Sequence, residues 1–120
     1  MRHDIGVPQS FAAGILSGQT TAFFRKNRKK RIVSHDMLYI FPHPLQKGMK
    51  VVAVREVAFA SPARIYPKGF SLYDEPPATR TRTKSLARSC GFDSWTAFRS
   101  WYEKRFKYGE KLLLIVTKPS

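Results

Sequence analysis

Apolar and polar positions along the chain change their period several times, and each change marks an element. Ile5 and Val7 are spaced as one face of a short strand. Pro8 suits the first turn of a helix, with Phe11, Ile15 and Leu16 at helical spacing and Gly18 as its stop. No charge falls between Pro8 and Ser17, so this helix is expected to pack closely against a neighbour. Thr20 to Phe24 is rich in β-formers and predicts a strand. Met37 to Phe41 reads as another, ended by Pro42, Pro44 and Gly48. In Val51 to Phe59, the set Val51, Ala53, Arg55 and Val57 alternates with Val52, Val54, Glu56 and Ala58, which predicts a longer strand. Short strands are expected at Ile65-Tyr66 and Phe70 to Tyr73, around Pro67 and Gly69, before a loop at Asp74-Glu75-Pro76-Pro77.

The remainder turns helical and then extended again. Thr83 to Ser89 predicts a short helix stopped by Gly91. Asp93 is placed to cap a stronger helix over 94–107, with Trp95, Phe98, Trp101, Tyr102 and Phe106 as its apolar stripe and Arg99, Lys104 and Lys107 outward. Gly109 ends it, and Leu112 to Thr117 reads as a buried final strand. This order predicts one α+β domain over residues 1–120, with a curved or closed sheet of about five or six strands.

Charge changes the picture most. There are 22 Lys and Arg against 8 Asp and Glu, a net charge of +14. Such an excess repels itself and favours polyanion partners, nucleic acid first, because clustered cations release counterions from phosphates. A soluble basic protein with no such partner is the plain alternative. Cys90 stands alone, so no intramolecular disulfide forms, and no zinc motif can be drawn from one cysteine and three unspaced histidines. No metal or cofactor is expected. Met1-Arg2-His3-Asp4 leads into no long apolar stretch, so a cytoplasmic location and no membrane partner are expected.

Two stretches concentrate the cations. Six of the seven residues from Arg25 to Arg31 are basic: Arg25, Lys26, Arg28, Lys29, Lys30 and Arg31. They read as an exposed loop that either grips phosphates or is merely solvated. Arg80, Arg82, Lys84 and Arg88 form the second stretch, and Thr79, Thr81 and Thr83 interleave with its first three members. On a strand that alternation would put the cations on one face. Phe23, Phe24, Tyr39 and Tyr73 are candidates to stack on unpaired bases, against the alternative that they are core. Cys90 has Arg88 close by to favour a thiolate, but His3, His35 and His43 are distant in sequence, and a lone cysteine is more often a small buried hydrophobe.

Several segments together resemble the ASCH domain family. The run from Ile15 to Arg25 is similar to the family signature of an apolar pair, a glycine, a lysine two later, two threonines and an arginine. Val33 to Leu38 is similar to its Gly-Asp-apolar strand entry, with His35 in the glycine position. Ala87 to Phe92, then Trp95, Phe98, Trp101 and Tyr108-Gly109, resemble its later helical segment. The resemblance implies a PUA-like fold, a small β-barrel with flanking helices and a cleft beside the first helix. It also implies RNA or modified bases as ligands, with Gly18, Thr20, Thr21, Phe23 and Cys90 at the cleft. The working lysine, threonine and glutamate of the amidohydrolase members map onto Thr20, Phe23 and Cys90, none of which can do the same proton transfer.

The reading that follows is a non-catalytic module for RNA or single-stranded nucleic acid, its basic loop beside the cleft. A nuclease or modified-nucleoside hydrolase is one alternative. A basic regulatory protein that meets an acidic protein partner is the other.

Overall fold

The computed structural model describes residues 1–8, 11–26, 31–42, 50–73 and 75–118. Among them run β1 (Arg2–Val7), α1 (Ala12–Ser17), β2 (Ala22–Arg25), β3 (Met37–Pro42), β4 (Ala53–Tyr66), β5 (Gly69–Leu72), α2 (Arg80–Ser89), α3 (Trp95–Glu103) and β6 (Lys111–Thr117). The expected α+β class holds, with a six-stranded mixed sheet and three helices.

The sheet follows the order β1-β3-β4-β6-β2, and β5 pairs with β4. β1 lies parallel to β3, and every other pairing is antiparallel. β4 unites the two halves. Its first residues pair with β3, while its later ones pair with β6 on one side and β5 on the other. The register with β6 shifts between Val57 and Phe59, a bulge of the kind that lets a long strand bend. Over its 14 residues β4 joins two stretches that the sequence presents apart, Val51 to Phe59 and Ile65-Tyr66. Ser61-Pro62 between them is poor strand sequence, yet Pro62 sits opposite Leu113 and its carbonyl still accepts from Tyr73 N–H at 3.0 Å.

The expected barrel does not form. Among the described residues the sheet has two ends, β1 and β2, and stays open. β2 is only four residues long and, among the described residues, pairs with β6 alone. Across the gap the link is a side chain: Arg25 Nη1 donates to the Gly6 carbonyl at 2.8 Å. The final strand does meet expectation. β6 lies between β4 and β2, with Leu112, Leu114, Ile115 and Thr117 buried.

Helix boundaries differ from the sequence reading for local reasons. α1 starts at Ala12, and of its adjacent Ile15 and Leu16 only Ile15 faces inward, while Leu16 is 59% exposed. Neighbouring helical positions point about 100° apart, so one stripe cannot hold both. Gly18 ends α1 at φ 84, the left-handed conformation that glycine adopts without strain. α2 begins at Arg80, because the Thr79 side chain accepts from Arg82 N–H. Ser94, not Asp93, caps α3, accepting from Ala97 N–H at 3.1 Å.

Two apolar clusters fill the interior. One is aliphatic, with Ile5, Ile15, Ile32, Leu38, Ile40 and Ile115 among its members. The other gathers around α3, where Phe98 is fully buried and its ring lies 4.9–6.0 Å from those of Phe24, Phe92, Trp95, Trp101 and Tyr102. Burying a phenylalanine contributes roughly 1.5–3 kcal/mol, so Phe98 anchors α3 against the sheet.

Candidate functional site

The open seam between β1 and β2 forms a cleft of about 550 Å³. One wall is β1, from Ile5 to Pro8, and the other is β2, from Phe23 through Arg25 to Lys26. Phe11 closes one side, and Trp101, Arg105 and Phe106 come from the end of α3 and the turn after it. The volume falls within the range of about 300–1,000 Å³ usual for small-ligand sites.

Its chemistry is mixed. Phe23 and Phe24 are buried in the floor, while Phe11, Trp101 and Phe106 are partly exposed. Phe11 lies 5.4 Å from Trp101, ring to ring. Arg105 sits over the Trp101 ring at 4.8 Å and donates to the Trp101 carbonyl. Arg25, Lys26 and Arg105 supply positive charge, and no carboxylate is among the lining residues. Trp101 Nε1 is buried and has no hydrogen-bond partner among the described residues.

Of the residues the sequence assigns to a cleft, only Phe23 lines this one. Thr20, Thr21 and Cys90 belong instead to a closed junction between the ends of α1 and α2, while Gly18 stands outside it as the stop of α1, with no atom within 4 Å of where a methyl on it would lie. Thr21 N–H donates to the Ser89 carbonyl at 2.8 Å, and the Thr21 carbonyl accepts from Thr117 N–H at 2.8 Å. Thr20 is 5% exposed and packs between two glycines: a methyl on Gly14 would stand 2.4 Å from Thr20 Oγ1, and one on Gly91 2.7 Å. Cys90 is 3% exposed, and burial pushes its thiol up to about 12. A thiol so held is not an activated nucleophile.

The basic run divides. Arg25 is partly buried at the end of β2 and faces the seam, Lys26 and Arg31 are exposed, and Arg28, Lys29 and Lys30 lie outside the described residues. The second stretch is helical rather than extended, which changes its geometry. Arg80, Lys84 and Arg88 recur every four residues and share one face of α2, whereas Arg82 turns away to Glu75 at 3.6 Å and to the ring of Phe70. All four are exposed. Arg80 and Arg82 stand at the positive end of the helix dipole, with no acid in that turn to offset them.

Sequence reasoning missed Phe11, Trp101, Arg105 and Phe106 as cleft residues. The aromatic three read as the apolar stripes of two helices. Their surplus over what one helix face can bury was the available signal. Among the described residues no group of three His, Cys, Asp or Glu is placed to hold a metal, and no helix is long and apolar enough to cross a membrane. The chain matches no known family model, no curated protein and no solved structure.

Proposed function

We propose that the chain is a non-catalytic nucleic-acid-binding module that takes an unpaired strand into the seam between β1 and β2. One observation carries this reading: the cleft joins aromatic walls to three cations, Arg25, Lys26 and Arg105, with no carboxylate in its lining. Aromatic faces accept any base, and cations beside them hold the backbone. The net charge of +14 supports the same partner. RNA is the favoured form of the strand.

Kinship to the ASCH family remains a proposal beside this. The packing of Thr20 against Gly91 supports it, since the two segments that resemble the family meet there. The open sheet departs from the barrel of that family.

The test is the salt dependence of binding. With about four phosphate contacts on a single strand, log affinity should fall against log salt with a slope near −3. Lys26→Gln with Arg105→Gln should make that slope shallower by about one unit for every sequence tried. Both side chains are exposed, so the variant should fold normally. An unchanged slope in a protein that does bind removes the seam from the reading, and absence of binding removes the reading.

A further inference from the structure

A second surface shares no residue with the seam. On the outer face of β4, β5 and β6, Arg64 stands opposite Ser71 on one side and Lys111 on the other, so these three form one row across the strands. Tyr66 lies two residues further along β4 and points to the same face. Tyr73 continues from β5 beside Pro62, whose carbonyl accepts its N–H. The face holds a cleft of about 310 Å³ between these side chains.

Ordinary packing does not account for the two tyrosines. Tyr66 is 39% exposed and Tyr73 63% exposed, while Ala63, Ile65 and Phe70 on the opposite face fill the core. Arg64 and Lys111 are exposed beside them. Arg64 gives one N–H to the Gly109 carbonyl at 2.6 Å, and its planar guanidinium carries further N–H donors. Among the described residues of the rim, Glu75 is paired with Arg82 at 3.6 Å.

We infer that this face is a stacking platform for an unpaired polynucleotide strand, an inference that rests on the nucleic-acid reading above. Tyr66 and Tyr73 each carry a base, and Arg64 with Lys111 hold the phosphates between them. Pro62, which Tyr73 adjoins, and Tyr66 are four residues apart on β4, roughly 13 Å at strand rise, so the two tyrosines spring from well-separated points of one face. The charge complementarity and the pairing of exposed rings with cations select this occupant over a protein strand or an apolar peptide.

Fluorescence anisotropy of a labelled oligouridylate tests it, with an oligothymidylate as the DNA arm. Each lost stack weakens binding about 5-fold or more, so Tyr66→Ala with Tyr73→Ala should lose about 25-fold or more. Tyr66→Phe with Tyr73→Phe keeps the rings and should keep the affinity within about 3-fold. Exposure of both residues predicts normal melting for both variants. Wild-type binding that survives the alanine pair overturns the platform while the nucleic-acid reading stands. Equal losses in the alanine and phenylalanine pairs overturn stacking as its mechanism. Failure of the wild type to bind either probe overturns both readings.

Discussion

Between Thr20 and Lys26 the chain passes from a closed junction to an open seam. Thr20 is wedged between Gly14 and Gly91, so close that neither glycine can carry a methyl group without displacing it. Three positions later Phe23 forms the floor of a cleft, and Arg25 reaches across that cleft to Gly6. The first region is fixed by shape, with Thr21 N–H donating to the Ser89 carbonyl and the Thr21 carbonyl accepting from Thr117 N–H. Across the second the Arg25 guanidinium bridges two short edges, beside the apolar cluster that Ile5, Val7 and Phe23 share. The difference teaches that likeness to a family signature does not locate the accessible site, because the residues of the signature can serve packing while the opening lies beside them.

The sharpest way to break this contrast is at Gly91. It adopts φ 92, and an added methyl would stand 2.7 Å from Thr20 Oγ1. Left-handed strain and overpacking together should make Gly91→Ala cost about 2–4 kcal/mol in chemical denaturation. On a Thr20→Ala background the steric part should vanish, leaving about 1–2 kcal/mol. Equal costs in both backgrounds would mean that Thr20 is not wedged.

Acid acts on the strand that supplies one wall of the seam, at residues outside the cleft itself. His3 of β1 bonds Asp36 through Nε2 at 2.9 Å, and Val33 N–H donates to the same carboxylate at 3.1 Å. These partners, His3 foremost, hold the Asp36 carboxyl down at about 2, from an ordinary 3.8. A lowered carboxyl stabilises the fold above its ordinary value, and that contribution fades as pH falls from about 4 through about 2. About 2 kcal/mol should be lost over that window. Asp36→Asn should remove the acid limb between those values, as read from stability against pH.

Much of the framework was legible before the structure. Short apolar runs located β3 and β6, alternation located the first part of β4, and Gly18 and the aromatic stripe of α3 located two helices. Less legible were features set by tertiary pairing. The continuity of β4 through Ser61-Pro62 depends on β5 and β6 flanking it, which no local pattern records. The Thr-Arg alternation before Lys84 would share a face on a strand, but the helix expected from Thr83 starts earlier, at Arg80, with Thr79 as its cap. The seam was invisible for the same reason: Phe11, Trp101 and Phe106 look like core until the sheet is seen to remain open.

A smaller effect sharpens the closed side of the comparison. Cys90 should alkylate at least about tenfold more slowly in the folded protein than in denaturant, and its rate should follow opening of the junction. Rapid labelling of the native protein would show that the junction is open after all.

The most direct test of the account is ultraviolet cross-linking of oligouridylate to the full chain, with the attached peptides mapped by mass spectrometry. Attachment at Phe11, Trp101 or Phe106 is the predicted result, reduced in the Lys26→Gln, Arg105→Gln variant. Attachment that never falls on the seam, in a protein that demonstrably binds the strand, would contradict it.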